Sequence, residues 1–236
     1  MSISVRSFAD GRTAAEACGV FILEKLEAAV AERGDASLAI SGGSTPKMMF
    51  DAMAAAEFDW SRVHVFWVDE RPVPPEHEQS NYRLAQEHLL GPAQIRHVHR
   101  IQAELPPDHA ASGYSRELRA FFQLAERGLP QFDVIHLGIG SDAHTASLFP
   151  GEPMIEDRDG LAAAVYVEKL GQWRITLLPG VLLAARDVAV LAAGPDKQEA
   201  VKHILHGMFS PLDYPAQLVT RRTLPSAFFL DKASLS

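Results

Sequence analysis

A histidine and an aspartate lie just after the most apolar strand-like segment of the sequence. This segment, residues 132–139, reads FDVIHLGI, and Asp142 and His144 follow it in a stretch that contains two glycines. A histidine titrates near neutral pH, so it can accept a proton and later return it. Most single histidines are structural, but one on a strand-end loop beside a carboxylate is a candidate catalytic group. We therefore single out His144 as a candidate general base, with Asp142 beside it.

Residues 41–47 (SGGSTPK) have the composition of an anion-binding turn. Gly42 and Gly43 would let the backbone come close to a ligand, and the N–H groups at a helix start attract anions. Ser44 and Thr45 would add hydroxyl donors. A tight turn before a capped helix explains the same residues equally well. The spacing fits neither a Walker motif nor a nucleophile elbow.

Charged residues follow other strand-like segments. Asp69 and Glu70 come directly after residues 63–68 and could accept hydrogen bonds from sugar hydroxyls. Arg71 could bind a phosphate or stabilise an oxyanion, because its planar guanidinium donates in pairs. Arg174 and Lys197 also lie near strand boundaries, where each is either an anion ligand or a solvated surface cation.

Strand-like and helix-like segments alternate along the chain, which predicts an α/β fold. We expect a mostly parallel, Rossmann-like central sheet with helices on both faces, in a single domain over residues 1–236. Ligands in such folds bind beyond the carboxyl ends of the strands, where all four chemistry-bearing segments lie. The predicted strands are 37–41, 63–68, 132–139, 161–168, 174–177, 187–193 and 226–230. The predicted helices are 16–32, 46–56, 80–90, 110–127, 179–185 and 196–205.

Composition limits the classes of partner. The formal net charge of −8 argues against nucleic acids and anionic membranes, which bind basic surfaces. Cys18 is the single cysteine, the first residues lack a signal-peptide pattern, and no apolar run is long enough to span a bilayer. These features predict a cytoplasmic protein. His203 and His206 have helical spacing for a metal but no third ligand, so we predict no metal site.

Taken together, the segments resemble the 6-phosphogluconolactonase family. SGGSTPK, WVDERPVP followed by SNYR, GIGSDAHTASLFPG, RITL and GPDK occur in the family's order, between about residues 42 and 197. The family shares its fold with glucosamine-6-phosphate deaminases and, more remotely, ribose-5-phosphate isomerases. The deaminases typically continue after the histidine with isoleucine, alanine, phenylalanine, asparagine and glutamate. Here the histidine is followed by TASLFP, the lactonase pattern.

The resemblance implies hydrolysis of 6-phospho-D-glucono-1,5-lactone in the oxidative pentose phosphate pathway, without a cofactor. His144 would deprotonate water, Asp142 would orient His144 or hold a sugar hydroxyl, and Arg71 or backbone N–H groups would stabilise the oxyanion. The phosphate would bind at residues 42–45, with Arg174 and Lys197 as counter-charges. A sugar-phosphate isomerase or deaminase and a non-catalytic sugar-phosphate-binding module remain alternatives. We expect a monomer or a weak homodimer.

Two positions depart from the family's pattern. Ser141 stands where the family usually has an acidic or similarly polar residue, and Ala143 where it usually has glycine. We expect Ala143 to keep an ordinary negative φ, with its methyl group away from the cleft. The reason is that Ser141 and Asp142 offer little bulk to hold a strained alanine in place.

Overall fold

A parallel sheet of seven strands forms the centre of the protein, seen in a computed structural model that describes residues 3–235. Its spatial order is β1-β10-β9-β6-β2-β3-β5, and every neighbouring pair is parallel. A second, antiparallel sheet has the order β4-β8-β7. The strands are β1 Ile3–Phe8, β2 Ala36–Ile40, β3 Val63–Trp67, β4 Asp69–Glu70, β5 His97–His99, β6 Val134–Gly138, β7 Ala162–Val167, β8 Gln172–Leu177, β9 Asp187–Ala192 and β10 Ser226–Asp231.

Helices pack around the central sheet, and the first is well capped. The Asp10 side chain accepts from the Thr13 backbone N–H (2.8 Å), and Gly34, at φ 89°, ends the helix after Arg33. The helices are α1 Gly11–Arg33, α2 Ser44–Ala55, α3 Asn81–Ala85, α4 Pro107–Phe121, α5 Pro179–Ala184, α6 Gln198–His206 and α7 Lys232–Leu235. A π-helical turn, Gln86–Leu90, follows α3 directly. None of the helices in residues 3–235 is long and apolar enough to cross a membrane.

The predicted α/β fold with a mostly parallel central sheet is confirmed. The strands at 161–168 and 174–177 also exist, as β7 and β8, but they pair antiparallel outside the central sheet. β1 and β5 were not expected from the sequence. Both are edge strands: β1 is largely exposed and β5 has only three residues, so neither shows a buried apolar run.

The order of the strands places a crevice between β2 and β6. From β2 the chain continues to β3 and β5 on one side, and from β6 to β9 and β10 on the other. The loops that follow β2 and β6 therefore diverge at their carboxyl ends, which is where ligands bind in doubly wound sheets. Most buried strand positions are apolar, but His136 is fully buried within β6. Cys18 is also buried, and burial raises the pKa of its thiol, as expected for an inert cysteine.

Candidate active site

A cavity of about 220 Å³ opens at this crevice, and we call it the site cavity. The loops after β2 and β6 form two of its walls, and the segment after β4 and the turn before α6 contribute cations. Its lining residues are Ser41, Gly42, Gly43, Asp69, Arg71, Asn81, Gly138, Ile139, Gly140, His144, Ala146 and Lys197. Residues from all four segments singled out in the sequence thus meet in one place.

His144 and Asp142 form a hydrogen-bonded pair at the edge of this cavity. The imidazole Nδ1 lies 2.5 Å from Asp142 Oδ1, and the His144 backbone N–H donates to the same oxygen (3.2 Å). Because a carboxylate only accepts, Nδ1 carries the proton, which leaves the lone pair on Nε2. The ring also stacks on Phe149, with the centroids 4.2 Å apart. These contacts fix the orientation of the histidine.

His144 is neutral at physiological pH. Burial lowers its pKa to about 4; the carboxylate of Asp69 opposes this change, and nearby Lys197, Arg174 and Arg71 reinforce it. Its side chain is nevertheless 31% exposed, so a small molecule in the cavity can reach it. A neutral imidazole with an accessible lone pair is suited to accept a proton.

Space for the pair depends on a glycine. A Cβ atom added at Gly140 would lie 2.0 Å from His144 Nδ1 and 2.7 Å from Asp142 Oδ1. No side chain can therefore occupy position 140 while His144 and Asp142 keep their places. The sequence predicted close approach of the backbone to a ligand at Gly42 and Gly43, whereas Gly140 makes room for the His144–Asp142 pair.

The start of α2 presents backbone donors beside the cavity. Gly43 is the N-cap residue at φ 127°, and no side chain accepts from the first N–H groups of the helix. Those donors are available to an anion. Gly42 and Gly43 line the cavity as predicted, whereas Ser44 and Thr45 do not.

Glu70 has a different position from the one predicted for a substrate ligand. Its carboxylate accepts from the backbone N–H groups of Arg71, Asn81 and Tyr82, each at 2.8 Å, and from the Ser80 hydroxyl (3.1 Å). Burial raises its pKa, an effect that the three N–H donors oppose. Glu70 does not line the cavity and instead secures the start of α3.

Asn81 is a cavity residue that was not among the predicted site residues. It is buried, its side-chain amide donates to the Asp69 carbonyl (2.9 Å), and its Oδ1 would lie 1.9 Å from a Cβ atom at Gly42. The neighbouring Asp69 carboxylate accepts from the Ser147 hydroxyl (2.6 Å). Asn81 belongs to the SNYR segment noted in the sequence, but an asparagine at a helix start is ordinarily interpreted as a helix cap.

Three cations surround the cavity. Arg71 and Lys197 line it, and Arg71 Nη1 donates to the Gln79 carbonyl (2.5 Å). Arg174 lies just outside the lining, on β8, where the antiparallel register that pairs Glu70 with Ile175 brings it close to Arg71. Burial and the charge of Arg71 lower the pKa of Arg174, although its side chain stays cationic at neutral pH.

A fourth cation, Lys169, contacts the second carboxylate oxygen of Asp142. It belongs to the short 3₁₀ turn Glu168–Leu170 between β7 and β8, and its ammonium lies 4.5 Å from the centroid of the Phe149 ring. Sequence reasoning missed it. A lysine in a hairpin carries no pattern that distinguishes it from a solvated surface residue.

The prediction for the backbone of Ala143 is wrong. Its φ is +64°, in the left-handed region, where an alanine costs about 1–2 kcal/mol. The packing that holds it comes from a distant part of the chain, since the Ala143 carbonyl accepts from the Ala216 N–H (2.9 Å) and the side chain is buried. The methyl group belongs to the hydrophobic core and does not line the cavity, as expected.

Residues 3–235 contain no group of three or more histidine, cysteine, aspartate or glutamate side chains placed to hold a metal ion. His203, one of the two histidines considered in the sequence, stacks its ring on Tyr214 with the centroids 4.5 Å apart.

The fold and the site define an α/β protein with an acid–base pair and a cation-lined cavity at the switch point of a doubly wound sheet. The sequence matches the family of glucosamine-6-phosphate isomerases/6-phosphogluconolactonase over residues 9–227, and the chain belongs to this family.

Individual relatives agree with this assignment. The chain is 38% identical to 6-phosphogluconolactonase from Synechocystis sp. over 203 residues, which cover 85% of this chain and 84% of the relative. It is also 38% identical to the 6-phosphogluconolactonase of Rattus norvegicus over 210 residues, 86% of this chain and 80% of that protein. The solved structure of 6-phosphogluconolactonase from Trypanosoma brucei superimposes with a TM-score of 0.88 at 29% identity, covering 99% of this chain and 97% of that one.

Proposed function

We propose that this protein hydrolyses 6-phospho-D-glucono-1,5-lactone to 6-phosphogluconate, a reaction of the oxidative pentose phosphate pathway. The observation that carries the proposal is the neutral His144, held by Asp142 and directed at a cavity with cations around it. Its family membership and its similarity to named 6-phosphogluconolactonases support the same reaction.

The reaction begins with a proton transfer. His144 Nε2 takes a proton from water as the water oxygen attacks C1 of the lactone. The carbonyl oxygen becomes an oxyanion, which Arg71 and backbone N–H groups stabilise. When the tetrahedral intermediate collapses, the bond between C1 and the ring oxygen breaks, and the imidazolium returns its proton to that oxygen. Asp142 stabilises the imidazolium that forms between the two transfers.

The phosphate of the substrate binds away from the ester. The uncapped start of α2, with Gly42 and Gly43, supplies backbone donors, and Lys197 and Arg174 supply positive charge. Asp69 and the buried Asn81 also line the cavity, and we assign them to the sugar hydroxyls. Binding at the phosphate holds the ring against the base, so it should raise the rate as well as the affinity.

The test is a comparison of substrates and variants. Fresh lactone should release acid in the presence of the purified protein, whereas glucosamine 6-phosphate should release no ammonia and ribose 5-phosphate should form no ketose. His144→Ala should lower kcat/KM by about 10²–10⁴, the usual contribution of a positioned acid–base group. The unaided hydrolysis of the lactone must be subtracted. A loss below threefold in a folded variant would remove His144 from this role.

The dephosphorylated lactone tests the anion site. It should be a poorer substrate in kcat as well as in KM, because the remote phosphate contact positions the reacting ester. Steady-state kinetics on both lactones at equal ionic strength measure the difference. Equal turnover would show that the start of α2 does not bind the phosphate.

We further infer a single domain that acts in the cytoplasm as a monomer or a weak homodimer on a small sugar phosphate, without a nucleic-acid or membrane partner. The net charge of −8 supports the absence of a nucleic-acid or anionic-membrane partner. Light scattering at several protein concentrations measures the oligomeric state. A concentration-independent larger assembly would contradict it.

A further inference from the structure

We propose that Lys169 is a positioning residue for the hydrolysis: it holds Asp142 and balances its charge, so that His144 stays in one orientation and neutral. The inference rests on the proposed function for its effect on the rate. The observation behind it is that the two oxygens of Asp142 have different partners. Oδ1 accepts from His144, and Oδ2 contacts the Lys169 ammonium.

The four side chains form a closed ring of contacts. Lys169 touches Asp142 on one side and lies over the Phe149 ring at 4.5 Å on the other. Asp142 and Phe149 are also the two side chains that contact the imidazole, at 2.5 Å from Nδ1 and 4.2 Å between ring centroids. Lys169 therefore touches both neighbours that orient the base. It reaches them from the hairpin of the antiparallel sheet, whereas the other three residues belong to the loop after β6.

The charge of Lys169 matters because Asp142 lies against the base. An uncompensated carboxylate at hydrogen-bond distance favours the imidazolium and raises the pKa of a histidine. The other charged groups around His144 are Asp69 on β4, Arg71 after it, Arg174 on β8 and Lys197 before α6. Lys169 is the cation in direct contact with Asp142, so it is the one that offsets this particular carboxylate.

Lys169 acts through Asp142 and not on the substrate. It does not line the site cavity, and its side chain is 48% exposed in a turn. Replacing an exposed side chain of this kind ordinarily has little effect on folding stability. A variant should therefore fold, bind substrate with an unchanged KM, and differ in kcat and in the protonation of His144.

The experiment compares Lys169→Met, Lys169→Arg and a control, Lys202→Met, which removes the same charge from an exposed position on α6. The pKa of His144 is measured by NMR titration of its ring nitrogens, with the resonance assigned by its loss in His144→Gln. Steady-state kinetics give kcat and KM for the lactone at each pH.

In Lys169→Met, we expect the pKa of His144 and the acid limb of kcat/KM to rise by about 0.5–1, the range for losing one charge at a partly exposed site. We expect kcat at pH 7.5 to fall threefold to tenfold with KM within twofold. Lys169→Arg should restore both values, and Lys202→Met should change neither. An unchanged pKa or kcat in Lys169→Met, or equal effects of Arg and Met, would overturn the proposal.

The experiment distinguishes failure of the proposed hydrolysis from failure of the positioning role of Lys169. The NMR titration reports the coupling between Lys169 and His144 whether or not the protein turns over the lactone. If His144→Gln keeps full activity, the proposed mechanism fails. If His144→Gln is inactive but the pKa of His144 is the same in Lys169→Met as in the parent protein, only the positioning role of Lys169 fails.

Discussion

Gly140 is the residue on which the place of the His144–Asp142 pair depends most directly. A methyl group at this position would lie 2.0 Å from His144 Nδ1, far inside contact distance, and the obstructing atoms belong to the His144 and Asp142 side chains themselves. We predict that Gly140→Ala lowers kcat/KM at least about 100-fold, because a displacement of about 1 Å at a catalytic group has that effect. Circular dichroism and lactone kinetics measure fold and activity.

A second glycine provides the control for this variant. Gly113 lies in α4, and a Cβ atom there would meet only the end of the Arg116 side chain, at 3.8 Å. Gly113→Ala should keep full activity. If Gly140→Ala also keeps it, the pair is not rigidly placed and the base can act from more than one position.

The types and spacing of residues located His144, Asp142 and the glycine turn, because strand ends of a parallel sheet meet at one edge. The same reasoning gave no account of Lys169 and the wrong backbone for Ala143. Both depend on contacts with distant segments: Lys169 comes from a separate hairpin, and Ala143 is held by the backbone of residue 216. The residues next to a position in the sequence do not indicate such distant contacts.

At the scale of elements, the short strand β4 and helix α3 are joined by Glu70. Its carboxylate accepts from the Asn81 and Tyr82 N–H groups at the start of α3 and from the Ser80 hydroxyl, and these bonds hold Asn81 against Gly42. They add to the side-chain cap of the helix, in which the Ser80 hydroxyl accepts from the Arg83 N–H. The three charged residues of the DER segment therefore differ in position. Asp69 and Arg71 line the cavity, whereas Glu70 stabilises the fold.

We predict that Glu70→Gln lowers the free energy of unfolding by about 1–3 kcal/mol, because an amide NH₂ facing backbone donors leaves them unsatisfied. Urea unfolding measures the change, and Glu126→Gln, at an exposed position, is the control. A folded variant of unchanged stability that has lost its affinity for the lactone would show instead that Glu70 contacts substrate.

The elements themselves were largely predictable, since buried strands and capped helices have strong local patterns. The pairing of the strands was less predictable from the sequence. The antiparallel sheet joins β4 to β8 across more than a hundred residues, and β4 has only two residues, too few to show an alternation. The position of Arg174 near Arg71 follows from that pairing and could not be inferred from either segment alone.

For the molecule as a whole, two neutral histidines, the fully buried His136 and the partly buried His144, contribute to the dependence of stability on pH. Burial lowers the pKa of His136 to about 3 and that of His144 to about 4, both below the ordinary value near 6.5. As the pH falls from 6.5 towards 4, the unfolded chain binds protons at these sites and the folded protein does not. Folding stability is therefore lost as the pH falls through this window.

The expected loss between pH 6.5 and 5 is at most about 2 kcal/mol for each histidine. Urea unfolding at constant ionic strength measures it, and His144→Ala should remove about half of the dependence. Stability that is independent of pH in this range would mean that both histidines bind protons as readily in the folded protein as in the unfolded chain.

The adjacency of β2 and β6 has a consequence for how the protein acquires activity during refolding. Ser37 at the start of β2 donates to Asp133 just before β6, a bond between residues 96 apart in sequence. Such non-local pairings close a large loop and form slowly. The cavity between the two loops cannot exist before that pairing, so recovered lactone turnover should appear with the last folding phase, after most helical signal has returned.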